Sequence, residues 1–203
     1  MEATCWSDYL CPWCYVGQDR SARMEELGLG VVHRPYELHP EIPAAGLPIR
    51  VHGRLAVTFE RITAECNLIG LPFQAPTRMP NTRRALETAE WVRVHDPAVA
   101  AAVHAGLFDA HFAAGLQIDD PEVIDRIVTE AGGDAVSVRA AVDDGSAGAL
   151  ADASMVEATA AGVSSTPTWV LDDGFVIPGA FDRATLDRWI TKIVARSPAG
   201  PTG

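Results

Sequence analysis

Cysteine is scarce in this sequence: Cys5, Cys11, Cys14 and Cys66 are all there are in 203 residues. Four thiols are too few to staple a chain of this length, which can in any case bury a core of its own. A disulfide scaffold is excluded, and the thiols are expected to serve chemistry. Long apolar runs are missing as well. The least polar stretch, 97–115, is broken by His104, Asp109 and His111, whereas a membrane span needs about 20 predominantly apolar residues. No transmembrane helix and no membrane partner are predicted. Positive charge is in short supply: 16 Lys plus Arg face 27 Asp plus Glu, a formal charge of -11. A polyanion would meet net repulsion, which argues against nucleic acid as a partner. The opening Met1-Glu2-Ala3-Thr4 has neither the basic region nor the apolar core of a secretory signal, and a cytosolic location is the expectation.

What is present reads as a folded α/β chain. With 48% hydrophobic and 21% charged residues, disordered and fibrous classes are excluded. Residues 3–10 carry β-favouring side chains and run into Cys11-Pro12, a strand entering a helix with Pro12 at its first position. That helix reaches about Leu27. Gly28 and Gly30 end it, and 31–38 forms a second strand, which completes a β-α-β unit. From Glu41 to Gly162 the pattern is helical. Leu55, Phe59, Ile62, Cys66 and Ile69 step by four and three along one face; Leu86, Ala89 and Val92 mark a second helix. A third starts at Pro97, a fourth opens at Asp119-Asp120-Pro121 and stops at Gly132-Gly133, and two alanine-rich helices follow, from Asp134 and over about 147–161. Strands return at 168–171 and 175–177 around an Asp172-Asp173-Gly174 turn. A final helix is capped by Asp182, and 197–203 reads as a frayed tail.

The order is thus β-α-β, a helical block, then β-β-α. The block is too long for a connection within one domain. It predicts an all-helical domain, 41–162, inserted into a discontinuous domain built from 1–40 and 163–196.

Cys11 and Cys14 form a lone Cys-x-x-Cys, which reads as a redox pair or as half of a metal site. A cysteine at a helix N-terminus is biased toward thiolate by the backbone N–H groups and the helix dipole, and thiolate is the species that attacks disulfides. Cys11, nearer the helix end, is the expected nucleophile. Cys14, one turn further in, can reach back to resolve a mixed disulfide. A structural zinc site normally takes four ligands, and neither a second Cys-x-x-Cys nor a close histidine pair accompanies this one. Cys5, in a strand, and Cys66, on an apolar stripe, are expected to be packing.

A β-α-β and β-β-α pair with Cys11-Pro12-Trp13-Cys14 at the first strand–helix junction resembles the thioredoxin fold. Within it the sequence is most similar to DsbA-like proteins with a helical insertion, in particular the FrnE subfamily. The stretches that carry the likeness are 7–17 (Ser-Asp-Tyr-Leu-Cys-Pro-Trp-Cys-Tyr-Val-Gly), 35–40 (Pro-Tyr-Glu-Leu-His-Pro), 107–112 with Asp119 and Pro121, and 162–168 (Gly-Val-Ser-Ser-Thr-Pro-Thr). The resemblance implies a thiol-disulfide oxidoreductase without bound cofactor, with Cys11 and Cys14 catalytic. It implies a cis Thr166-Pro167 beside the dithiol, where the residue before proline pairs with an extended substrate by main chain. Substrates would be disulfide- or thiol-bearing proteins or peptides, and glutathione. Pro12 and Trp13 would tune the pair: a neutral Trp13 stands where strongly oxidising relatives carry a histidine, which implies a less acidic Cys11 and a less oxidising disulfide. Six residues before the nucleophile, where thioredoxins carry a buried acid, stands Cys5, which leaves the group that deprotonates Cys14 unassigned.

The six histidines show no metal spacing and are expected mostly at the surface or its boundary. His39 could approach the dithiol from its loop. Arg83-Arg84 reads as a pair neutralised by acids or as a grip for an acidic substrate; Trp13, Tyr15 and Trp169 read as an apolar rim around the thiols or as core. Two further functions fit the pattern: a glutathione-dependent transferase or isomerase of the kappa-class or hydroxychromene-carboxylate isomerase type, where serine replaces the first cysteine, and a non-catalytic binder or chaperone.

Overall fold

The structure, a computed structural model, describes residues 1–196; the expected tail at 197–203 lies outside the described residues. The chain opens with β1 (Glu2–Ser7), α1 (Pro12–Glu26) and β2 (Gly30–Pro35), and closes with β5 (Thr168–Leu171), β6 (Val176–Pro178) and α8 (Arg183–Arg196). Between them lie β3 (Leu47–Pro48), α2 (Arg54–Ile69), β4 (Arg78–Met79), α3 (Arg83–His95), α4 (Pro97–Phe112), α5 (Pro121–Glu130), α6 (Ala135–Asp143) and α7 (Ser146–Ala160). Local chemistry sets most helix starts. Pro occupies the first turn of α1, α4 and α5, and the carboxylates of Asp120 and Asp134 accept from backbone N–H groups of α5 and α6, which satisfies donors that have no partner inside the helix.

The flanks pair into one mixed sheet in the order β2-β1-β5-β6, with β1 parallel to β2 and antiparallel to β5. Cys5 stands opposite Trp169 and Ala3 opposite Leu171. These residues therefore share one face, where Met24 of α1 and Leu186 and Ile190 of α8 cover them. Trp6 and Val170, displaced by one residue, point to the other face and meet Ala158 and Val163, as the period of two requires. This is the thioredoxin-like α/β fold.

Two differences from the sequence reading have local causes. Strand β1 stops at Ser7 instead of continuing to Leu10, because the Asp8 carboxylate accepts from Leu10 N and the Asp8 carbonyl from Cys11 N; that turn lifts the chain off the sheet. The insertion is also not all-helical. Leu47–Pro48 and Arg78–Met79 pair as a short antiparallel ribbon, too brief to leave a period in the sequence.

The insertion shares its core with the half that carries the Cys-x-x-Cys pair. Tyr9, Cys14, Tyr15 and Val16 belong to the same buried cluster as Phe59 and Ile62 of α2, Leu86 of α3, Leu107, Phe108 and Phe112 of α4, and Ile124 of α5. Burial contributes roughly 1.5–3 kcal/mol for each large apolar side chain, so the β1–α1 junction is held at the seam between the two parts.

Candidate active site

Cys11 is the cap residue of α1, with extended backbone (φ -86°, ψ 110°) and Pro12 following it. From there its thiol reaches the loop before β5 and donates to the Thr166 carbonyl oxygen at 3.5 Å. The Thr166–Pro167 bond is cis. Cys11, Cys14, Thr166 and Pro167, 155 residues apart along the chain at the Cys11–Thr166 contact, therefore meet at one place. Gly17 makes the approach feasible: a Cβ there would stand 3.3 Å from Pro167 Cγ and 3.5 Å from the Trp169 ring. Gly17→Leu is expected to overpack this contact, to lower stability by about 1–3 kcal/mol and to slow any chemistry that uses the loop, as read from urea unfolding and disulfide turnover.

The two thiols differ in acidity. The Cys14 thiol hydrogen-bonds to Cys11 and holds it below the usual thiol range, against the cost of burial. Burial and the neighbouring Cys11 sulfur push Cys14 well up. The Thr166 side chain favours the thiolate of both, and its buried hydroxyl makes no hydrogen bond among the described residues. A low-pKa sulfur at a helix end with a high-pKa sulfur one turn behind can attack a disulfide and then close on itself. Cys5 and Cys66 are buried. Burial drives the Cys5 thiol strongly upward and Cys66 up to about 11, which makes both poor nucleophiles.

Of the three aromatic candidates for a rim, two are core. Tyr15 is buried, its hydroxyl donating to Pro72 O at 2.8 Å and to Asp109 at 3.1 Å, and buried Trp169 donates through Nε1 to Ser21 Oγ at 3.0 Å. Trp13 alone remains half-exposed beside the thiols. Arg83 and Arg84 are committed to carboxylates, Arg83 to Glu37, Glu87 and Asp152 and Arg84 to Asp143. His39 is exposed and pairs with Glu41.

Sequence reasoning missed a buried carboxyl and a histidine pair. Asp8, three residues before Cys11, is fully buried. It accepts from Leu38 N at 2.7 Å, Thr82 Oγ1 at 2.7 Å and Leu10 N at 3.2 Å, yet desolvation outweighs these bonds and raises its pKa to about 6. Its charge opposes ionisation of Cys11. Behind the dithiol, Tyr9 and His104 share a 2.9 Å hydrogen bond, and His104 stacks on His33 with ring centroids 4.1 Å apart. Both imidazoles line a cavity of about 230 Å³ together with Glu90. Burial keeps His104 well below its usual pKa and lowers His33 and His111 to about 4. His104 and His111 are buried beneath the helices of the insertion and His33 is half-buried, while His39, His52 and His95 are exposed, so four of the six lie at the surface or its boundary. Among the described residues no group of three or more His, Cys, Asp or Glu side chains is placed to hold a metal ion, and no helix is long and apolar enough to cross a membrane.

Comparison with known proteins places this geometry in a family. The DSBA-like thioredoxin domain matches residues 3–191, from β1 into α8. The chain belongs to that family. Solved structures similar to this DSBA-like thioredoxin domain include a probable DsbA oxidoreductase from Streptomyces coelicolor, 24% identical with a TM-score of 0.84, the match covering 100% of this chain and 97% of the other. A 2-hydroxychromene-2-carboxylate isomerase is 20% identical with a TM-score of 0.73, over 96% of this chain and 94% of that one. The cytosolic disulfide reductase DsbM of Pseudomonas aeruginosa, solved with glutathione, is 18% identical with a TM-score of 0.67, over 97% and 98%. At these identities the likenesses establish the fold.

Proposed function

We propose that the protein is a cytosolic thiol-disulfide oxidoreductase of the FrnE type, working without a bound cofactor. The observation that carries this reading is the asymmetry of the pair: Cys11 caps α1 with a lowered pKa, while Cys14 behind it is raised. In the cycle the Cys11 thiolate attacks a substrate disulfide, forming a mixed disulfide and releasing one substrate sulfur as thiolate. Cys14 then loses its proton and attacks the Cys11 sulfur, releasing the second substrate thiolate and leaving a Cys11–Cys14 disulfide. The substrate gains two electrons and the protein loses them; an external thiol such as glutathione restores the dithiol. Substrate would lie across Trp13 and pair with the main chain at Thr166-Pro167. Trp13, a neutral neighbour, favours reduction or exchange over strong oxidation.

Redox titration in glutathione buffers, with free thiols alkylated and located by mass spectrometry, tests the reading. One reversible two-electron transition at Cys11 and Cys14 is expected, with Cys5 and Cys66 reduced throughout. Zinc or a stable glutathione adduct on the pair would sink it. A second reading, glutathione-dependent isomerisation or transfer, draws on the fold shared with the hydroxychromene-carboxylate isomerase.

A further inference from the structure

Arg61 stands out among the cations near the redox motif. Its guanidinium carbon lies 5.8 Å from the centre of the Trp13 ring, in the range of a cation–π contact. The side chain is exposed on α2. Arg20, Arg23, Arg34, Arg78, Arg83 and Arg84 all sit on carboxylates, whereas among the described residues Arg61 has none. The reason is local. Glu65, one turn further along α2, is where an i,i+4 partner would stand, but its carboxylate is drawn to buried Arg20 of α1. Arg54, seven residues earlier and hence on nearly the same face of the helix, is also exposed and without an ion pair. In a chain of formal charge -11, positive charge without a carboxylate partner is left beside Trp13, one of the two residues between Cys11 and Cys14.

We propose that Arg61, supported by Arg54, selects substrates whose disulfide is flanked by acidic residues in a polypeptide segment. The inference rests on the oxidoreductase reading above and names its substrate class. Distance decides which field the substrate feels. The Debye length at physiological ionic strength is about 8 Å, so most of the protein's negative charge is screened from a segment lying on Trp13, while a guanidinium stacked over that ring is not. Arginine suits this role because its planar fork stacks on the indole and still offers N–H groups to a carboxylate. The cation–π contact also fixes where the charge sits relative to Cys11.

The test uses three disulfide-linked peptides that differ only in having Asp, Asn or Lys next to the cysteine. The wild-type protein is expected to favour the acidic over the neutral peptide in kcat/KM at low salt, and less so at 0.5 M salt. Arg61→Gln should reduce the acidic-to-neutral ratio about two- to fivefold, the range of an exposed ion pair, while Arg61→Lys keeps most of it and Arg54→Gln removes a smaller part. An unchanged ratio in Arg61→Gln overturns the proposal, as does an equal drop for all three peptides, the mark of a structural role. Sensitivity of glutathione disulfide without sensitivity of the acidic peptide would also overturn the polypeptide assignment. Failure of the underlying reading looks different: the wild-type protein would then reduce none of the peptides.

Discussion

Cys11→Ser is expected to lower disulfide turnover by at least roughly a thousandfold, the scale on which enzymes respond to loss of their nucleophile. A serine hydroxyl in this position stays protonated at neutral pH and cannot take part in a disulfide, so both half-reactions stop. Nothing else should change much. The two side chains differ by one atom, and the Cys11 sulfur makes only weak hydrogen bonds, with the Thr166 carbonyl and with the Cys14 thiol. Cys14→Ser should behave differently: attack survives and resolution does not, so mixed disulfides between Cys11 and substrate accumulate and are seen in the intact mass. The pair of variants also separates the chemistries. Glutathione-dependent isomerisation or conjugation that persists in Cys11→Ser, with disulfide exchange absent from the wild type, would favour the isomerase-like reading.

The second large effect concerns pH. Asp8 has a folded-state pKa near 6 against an ordinary value of 3.8. A carboxyl raised in this way binds its proton more tightly in the folded than in the unfolded state. Its contribution to stability is therefore fully present below pH 3.8 and is lost as pH rises through about 6. The size is about 3 kcal/mol, from some two pKa units at 1.36 kcal/mol each. His33 and His111, lowered to about 4, and His104 act oppositely: their contribution is present above the usual imidazole pKa and is lost on acidification through the folded value. Comparison of wild type with Asp8→Asn isolates the carboxyl. The difference in unfolding free energy between the two, from urea melts at pH 4, 5, 6 and 7, should shift by about 3 kcal/mol in favour of the variant from the lowest to the highest pH. A constant offset is expected on top, because the amide cannot accept from all three donors that hold Asp8, and an unmet buried donor costs about 1–3 kcal/mol. A pH-independent difference would mean that Asp8 titrates in the fold as it does in water. The same variant should make the Cys11 thiol more acidic, since the carboxylate opposes its ionisation; thiolate absorbance at 240 nm reads this directly.

Asp8 also marks the limit of the sequence reading. It belongs to the Ser7-to-Gly17 stretch that carries the family likeness, yet the sequence contains no sign of its burial. That burial depends on Thr82, 74 residues away, and on Leu38, 30 away. His33 and His104 were unreadable for the same reason. Each lies on its own element with no neighbour at metal spacing, and only the packing of α4 against the first β-α-β unit stacks the rings. Arg83-Arg84, the basic pair most visible in the sequence, is tied up in ion pairs. The guanidinium left over beside the dithiol is that of Arg61, which nothing in the string of residues singles out.

The sequence by itself determined the α/β class, the β-α-β and β-β-α flanks, the helix starts at Pro12, Pro97 and Pro121, and the pair of cysteines at a helix cap. These follow from short-range physics: a proline without an N–H, a side-chain period of two or 3.6, a dipole at a helix end. Only the tertiary structure decided that the insertion shares its core with the half that carries the cysteine pair, which histidines are interior, that Arg61 beside Trp13 is left without a carboxylate partner, and that a buried acid stands near the two thiols at Asp8. Those facts depend on desolvation and on contacts between residues far apart in the chain, and both quantities exist only once the chain has closed on itself.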